Sequence, residues 1–367
     1  SPLRLNSVAS MVDLDPKDML PYAPSFGKPE LRDVWSQMMV KKNPSLAGKP
    51  LSKPVVTCAL THALSICGYL FADESSAILA PDLYWGNYRL IFSNAYGAAI
   101  KTYNTFKDGG YDLDALEAAL AEGPIGKKIV ILNFPNNPTG YTITENEAVK
   151  MAEILTSAAE AGNQIVTLID DAYFGLVYEE GVMEESIFAR LADAHENLLA
   201  VKIDGATKED YVWGFRVGFI TYGIKGATDE LYTALQDKTA GAVRGNISNV
   251  PHISQSILLK AYTSDAYQTE KQEKYEILKR RCVKVKEILA SNAKYAEVFS
   301  ALPFNSGYFM CLKLKSTEPE KVRQILLSDY STGVIAASGV IRVAFSATPY
   351  DLLEELFENI YQACLKA

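Results

Sequence analysis

Histidine and cysteine are scarce in this chain of 367 residues: three of the first, His62, His195 and His252, and five of the second. The histidines lie far apart in sequence, so imidazole-based metal or triad chemistry has little to build on. The cysteines Cys58, Cys67, Cys282, Cys311 and Cys364 are scattered, odd in number and form no CxxC pair. That argues against a disulfide framework or a thiolate zinc site, and a reducing cytoplasmic compartment is expected, with no metal. A basic excess is also lacking. Lys and Arg number 36 against 44 Asp and Glu, a net charge of −8, so the chain offers no field to attract a nucleic-acid backbone. The opening Leu3-Arg4-Leu5-Asn6-Ser7 does not resemble a secretory leader. The longest uncharged stretch, Val55 to Phe71, is 17 residues and contains Thr57, Thr61, His62 and Ser65. A membrane helix needs about 20 mostly apolar residues, so this stretch reads as a buried strand and helix of a soluble protein. No GxGxxG follows the early strands, which counts against a nicotinamide dehydrogenase.

What the chain does have is an ordinary globular composition, 48% hydrophobic and 22% charged. At roughly 100–200 residues per domain its length suggests two domains. Short apolar runs alternate with helical ones. Ala77–Ala80 ends at Pro81, Ile129–Leu132 at Asn133, Ile165–Ile169 at Asp170, and Leu199-Ala200-Val201 with Ile203 at Asp204. Near-continuous apolar character predicts strands covered on both faces. Between two of them, Thr144-Glu145-Asn146-Glu147 has the pattern of a capping box, Ala148, Met151, Ala152, Leu155 and Ala159 follow at helical spacing, and Gly162 supplies the stop. The alternation predicts a mainly parallel sheet with helices on both sides, whose ligands bind beyond the carboxyl ends of the strands. From about residue 241 the pattern changes. Tyr275, Leu278, Cys282, Val285 and Leu289 mark a long amphipathic helix with Glu273, Lys274, Lys279, Arg280 and Lys284 on its solvated faces. Tyr308–Leu314 and Val340–Phe345 read as strands and Tyr350–Lys366 as a closing helix, together a smaller α+β unit.

Three polar clusters follow the strands. Asn133-Phe134-Pro135-Asn136-Asn137-Pro138-Thr139-Gly140 is either a plain tight turn or a turn that presents neutral donors. Asp170-Asp171-Ala172-Tyr173 places an acid at a buried strand end, where it must be paired; a protonated heterocyclic nitrogen and an ordinary helix cap both satisfy that need. Asp204-Gly205-Ala206-Thr207-Lys208 is followed by Arg216. A lysine there can lose its proton and form a Schiff base, and the planar fork of an arginine suits a phosphate dianion. The bland reading is a surface lysine and an unrelated arginine. The order of the three clusters at successive strand ends is what makes the combination specific.

On these residues the chain resembles the fold-type I, class I/II pyridoxal-phosphate-dependent aminotransferases, aspartate aminotransferase among them. The similarity runs from about Tyr22 to the last helix. It rests on Asn137–Gly140 (NPTG), on Asp170 and Tyr173 (D-x-x-Y), and on Lys208 with Arg216. The resemblance implies a three-layer, mainly parallel large domain over 42–240 that binds pyridoxal 5'-phosphate. Residues 1–41 would be an arm and the N-terminal part of a small domain completed by 241–367. It implies that Lys208 carries the cofactor as a Schiff base and shuttles the proton. Asp170 would keep the pyridine nitrogen protonated, making the ring an electron sink. Tyr173 and Asn137 would bond its phenolic oxygen, and Trp85 would stack on the ring. Arg216, Thr207 and the amides of Leu60 and Thr61 would hold the phosphate, the last two at a helix N-terminus. Tyr22 matches a tyrosine that reaches a partner subunit's phosphate, implying a homodimer with composite sites. Arg342 matches the clamp on the substrate α-carboxylate, assisted by Asn137. Arg244, in Arg244-Gly245-Asn246-Ile247-Ser248-Asn249, aligns with an arginine for a distal carboxylate; a surface or phosphate-proximal arginine is the other reading.

The expected activity is thus transfer of an amino group from an α-amino acid, aspartate or glutamate, to a 2-oxo acid. The alternative on the same scaffold is a C–S lyase working by β- or γ-elimination. A cofactor-binding DNA regulator would carry a basic helix-turn-helix extension that is not seen here. Three departures from the family pattern stand out: Gly205 in place of a phosphate-binding serine, Ala59 in place of the phosphate-loop glycine, and a short stretch between Gly333 and Gly339.

Overall fold

The computed structural model describes residues 3–367; Ser1 and Pro2, the start of the expected 1–41 segment, lie outside the described residues. Helix α1 (Pro29–Lys42) leads to strand β1 (Val55–Thr57) and helix α2 (Ala59–Phe71), the strand and helix expected of the uncharged stretch. Strands β2 (Ala77–Pro81) and β3 (Ala99–Tyr103), a hairpin of β4 (Phe106–Lys107) and β5 (Gly110–Tyr111), and helix α3 (Leu113–Ala121) come next. Then β6 (Lys127–Leu132), α4 (Glu145–Glu160), β7 (Gln164–Asp170), the single turn α5 (Phe188–Leu191), β8 (Leu198–Gly205), the single turn α6 (Ala206–Glu209), β9 (Gly218–Gly223) and α7 (Asp229–Ile247) complete the first unit.

Seven of these strands form one sheet in the order β1-β9-β8-β7-β6-β2-β3. The run from β3 to β8 is parallel, and β9 lies antiparallel to both β8 and β1. The carboxyl ends of β1, β2, β6, β7 and β8 and the amino end of β9 therefore share one edge. Successive side chains alternate between faces: Leu168 and Val201 enter one apolar cluster, Ile169 and Ala200 the other. Helices cover both faces, which explains why the strands are apolar throughout. In α4 the capping box is complete, with Glu147 N–H donating to Thr144 Oγ1 at 3.2 Å and Thr144 N–H to Glu147 Oε2 at 2.7 Å. Gly162, at φ +97°, ends that helix in a conformation glycine adopts freely.

The second unit contains α8 (His252–Tyr262), the long α9 (Ala266–Ser291), β10 (Phe299–Ala301), β11 (Met310–Leu314), α10 (Pro319–Tyr330), β12 (Ile335–Ala337), β13 (Val340–Val343) and α11 (Leu353–Lys366). Its four strands make an antiparallel sheet, β10-β11-β13-β12. Helix α9 buries Leu278, Cys282 and Val285 as the spacing predicts, with Ile288 closing the stripe. Its charged faces are less solvated than expected: the Lys274 side chain is 12% exposed, and Lys284 pairs with Glu354. The expected strand from Tyr308 starts only at Met310, because Tyr308 and Phe309 turn their rings edge-on to Tyr173. The expected strand to Phe345 ends at Val343, and the closing helix starts at Leu353 after a 3-10 turn at Tyr350–Leu352. The two units meet at the NPTG turn. Gly140 O accepts from the amides of Asn305 and Ser306 at 3.0 and 2.9 Å, and Asn305 makes two further bonds to the Thr142 backbone. A Cβ on Gly140 would collide with the Phe309 carbonyl, so the approach requires glycine. Among the described residues no helix is long and apolar enough to cross a membrane.

Candidate active site

The shared strand edge opens onto one cavity. Each wall comes from the residues that follow a strand: Ala59, Leu60 and Thr61 after β1, Trp85 after β2, Asn133 and Asn137 after β6, Asp170, Ala172 and Tyr173 at the end of β7, Thr207 and Lys208 after β8, and Arg216 before β9. Three clusters that are far apart in sequence thus face one another because their strands are parallel neighbours.

Asp170 is 3% exposed. Its Oδ2 accepts from the phenol of Tyr88 at 2.6 Å, and its Oδ1 from the Ala172 amide at 3.2 Å. Burial raises its pKa, while the Tyr88 bond, the Lys208 charge and the Ala172 amide oppose that rise. Asn133 joins the clusters, donating Nδ2 to Asp170 O at 2.7 Å and accepting from the Asn137 amide at 2.8 Å. Lys208 Nζ lies 5.1 Å from the centroid of the Tyr173 ring. Burial holds the Lys208 pKa below that of a free lysine, Arg216 acts in the same direction, and Asp170 opposes both. Burial also raises the Tyr173 phenol.

Arg342 arrives from the other unit, on β13 between Cys311 and Ile335. Its guanidinium donates to Asn137 Oδ1 at 2.8 Å and lies 4.1 Å from the centroid of the Phe309 ring. Its Nε is buried and finds no partner among the described residues. A fork of donors with a free arm, beside a neutral carboxamide, is suited to a carboxylate.

Another part of the lining suits an anion. Helix α2 begins at Ala59 with no side-chain cap, so its first amides are available. Thr207 is 3% exposed and its Oγ1 is buried without a partner. Gly205 has a structural reason: a Cβ there would sit 2.7 Å from Gly218 Cα and from Val217 O, so the β8–β9 approach leaves no room for serine. An unsatisfied hydroxyl, an arginine and a helix N-terminus fit a phosphate group. Ala59 itself sits at φ +59°, a conformation that favours glycine.

The comparisons with known proteins agree with this arrangement. The profile of the family described as aminotransferase class I and II matches residues 7–360. The chain belongs to the class I and II aminotransferases. It is similar to an aspartate aminotransferase of Bacillus subtilis, 24% identical over 92% of this chain and 82% of that relative. A probable aspartate/prephenate aminotransferase of Aquifex aeolicus is 27% identical, over 92% and 81%. Among solved structures, an aminotransferase from Anaerococcus prevotii shares the fold with a TM-score of 0.85 at 22% identity, covering 98% of this chain and 86% of that one. The α/β architecture expected from the sequence is therefore that of a pyridoxal-phosphate-dependent transaminase.

Three of the expected residues do not line the cavity: Arg342 adjoins it through Asn137, and Tyr22 and Arg244 lie away from it. Tyr22 is 86% exposed, and Arg244 is exposed in the last turn of α7. Their segments are neighbours on one surface: Ser25 Oγ donates to Ser248 O at 3.3 Å, and His252 Nδ1 lies 3.0 Å from Pro21 O. Tyr88, Asn133 and Phe309 are site residues that sequence reasoning missed. Asn133 stood in a recognised cluster. Tyr88 follows Trp85 by one turn, with its amide bonded to Trp85 O at 2.9 Å, a spacing that could have pointed to it.

Proposed function

We propose that this enzyme moves the amino group of an α-amino acid, aspartate or glutamate, to a 2-oxo acid, with pyridoxal 5'-phosphate joined to Lys208 as a Schiff base. The observation that carries the reading is the convergence of Lys208, Asp170, Tyr173 and Asn137 in one cavity, with Arg342 bonded to Asn137. When bound, the cofactor supplies an electron-withdrawing ring that stabilises negative charge at the substrate Cα. The protein does the rest. Asp170, held by Tyr88, presents a carboxylate to a ring N–H. Tyr173 and Asn137 donate to the phenolic oxygen, and Trp85 covers the ring. Arg216, Thr207 and the amides of Leu60 and Thr61 hold the phosphate. Arg342 and Asn137 hold the α-carboxylate. Lys208, whose pKa burial lowers, would take the proton from the substrate Cα and deliver it to the cofactor carbon that holds the amino nitrogen.

The relatives named as aspartate aminotransferases favour an acidic donor. The shared exposed surface of Tyr22 and Arg244 suits a homodimer in which each subunit lends both residues to its partner's site. The five free thiols agree with a reducing cytoplasm. The test is an absorbance spectrum with added pyridoxal phosphate, with Lys208→Ala alongside. A Lys208-dependent band that L-aspartate bleaches and 2-oxoglutarate restores is the expected result. Release of keto acid and ammonia without an acceptor would overturn transamination in favour of elimination.

A further inference from the structure

The Schiff-base lysine sits on α6, a single helical turn of four residues with no side-chain cap. One isolated turn has no cooperative stability, because nucleation costs more order than its hydrogen bonds return. Something else must hold it. The two residues after Lys208 are buried acids, Glu209 at 2% and Asp210 at 0% exposure. Glu209 Oε1 accepts from Lys42 at 2.7 Å and from Lys271 at 2.9 Å. Asp210 accepts from Tyr262 at 2.7 Å, Tyr267 at 2.6 Å and Lys271 at 3.0 Å. These partners come from the end of α1, from α8 and from α9, three elements that do not line the cavity. Tyr211, next in the chain, is held at φ +55°, a left-handed conformation that surrounding contacts must impose.

We propose that Glu209 and Asp210 are positioning residues for Lys208, anchored through Lys42 and Lys271 so that the one-turn helix presents the amine to the cavity at a fixed angle. The inference rests on the reading of Lys208 as the cofactor's anchor. It assigns the buried charges behind the site a purpose beyond folding: as Lys208 detaches and returns in each turnover, its backbone stays in register. Lys271 serves both acids at once, and it lies on the helix that continues toward the small sheet bearing Arg342. The network therefore ties the lysine segment to the element that leads to the carboxylate clamp.

The test uses the full-length enzyme loaded with pyridoxal phosphate and compares Glu209→Gln, Lys271→Met and Lys271→Arg. Three quantities are read besides folding: the induced circular dichroism of the cofactor band, which reports a fixed geometry, kcat and KM. The band is expected in every variant, since Lys208 is intact. Glu209→Gln and Lys271→Met should lose at least half of the induced dichroism and roughly tenfold or more in kcat, with KM nearly unchanged; misplacement of a reacting group by about 1 Å can cost 10²-fold. Lys271→Arg, which keeps the charge, should recover most of both. Tyr267→Phe removes one bond to Asp210 without baring a charge, and it carries the test through a smaller loss in the same direction if the charge variants do not fold. Wild-type dichroism and kcat in the variants, or an arginine variant as impaired as the methionine one, would overturn the inference alone. A wild-type protein without a Lys208-dependent band would instead remove the cofactor reading beneath it.

Discussion

The phenol of Tyr88 donates to Oδ2 of Asp170 at 2.6 Å, joining residues 82 positions apart, neither more than 3% exposed. The bond favours the ionised carboxylate against the desolvation that burial imposes. Tyr88→Phe removes it while keeping the ring that packs there. A hydrogen bond to a charged group contributes about 1.5–3 kcal/mol, so kcat/KM should fall roughly 10- to 100-fold. The acid must stay ionised to hold a ring N–H, and losing the donor raises its pKa. The acidic limb of the pH–rate profile should therefore move to higher pH. A limb that stays in place would show that Tyr88 only fills space.

Restoring the serine common in the family at Gly205 should harm the enzyme. With Gly218 Cα and Val217 O each 2.7 Å from the new Cβ, Gly205→Ser forces the antiparallel strands apart, and overpacking of that kind costs about 1–3 kcal/mol. Thr207→Val should leave stability nearly unchanged, since its hydroxyl has no partner to lose. It should weaken pyridoxal-phosphate affinity about tenfold, the worth of roughly one hydrogen bond to an anion. Equilibrium dialysis beside urea unfolding separates the two effects.

Ala59 sits at φ +59°, where the Cβ of an L-residue crowds the backbone at a cost of about 1–2 kcal/mol. Ala59→Gly relieves that strain and loses about 0.4–1 kcal/mol through the freer unfolded chain. A net gain on the order of 0.5–1 kcal/mol is expected, visible as a higher urea midpoint at an unchanged slope. A lower midpoint would mean that the methyl packs usefully against the strand edge.

Lys202 is 1% exposed and pairs with Asp171 and, at 3.3 Å, with Asp204. Lys202→Met strands two carboxylates in the core and should cost about 3–5 kcal/mol near neutral pH. The loss should shrink in acid. Burial already lifts Asp171 to about 6, with Lys202 opposing, against about 3.9 in an unfolded chain. An acid whose folded pKa is raised makes the folded state the better proton binder, so its stability contribution is greatest below the unfolded pKa and declines as pH rises through the folded one. Removing Lys202 steepens that decline. Urea midpoints at about pH 5 and about pH 7.5 should therefore differ more in the variant than in wild type.

Much of the site was legible because its residues follow apolar runs. Asn137, Asp170 and Lys208 each come soon after a strand readable from its β-branched residues, and parallel neighbours must place such residues together. The capping box at Thr144 and the stripe through Leu278, Cys282 and Val285 were legible for the same local reason. What escaped was long-range or broke the expected pattern. The one-turn step from Trp85 points to Tyr88, but its partner Asp170 lies 82 positions away and no local pattern names it. Lys202, a charge inside an apolar strand, reads as an interruption until Asp171 and Asp204 are seen around it. The reversed direction of β9, which brings Arg216 back to the strand edge, depends on pairing and not on composition. Tyr22 and Arg244 are exposed and do not line the cavity, a placement that no local pattern announces.

The bond between Arg342 and Asn137 joins the small sheet to the turn that follows β6. A carboxylate entering there meets donors already aligned and one guanidinium arm still free, so little rearrangement opposes it. An amine without that carboxylate finds the two residues engaged with each other and gains nothing by parting them. With Arg342 in the proposed role of carboxylate clamp, this pair would select amino acids over their decarboxylated amines, independent of which side chain the substrate carries.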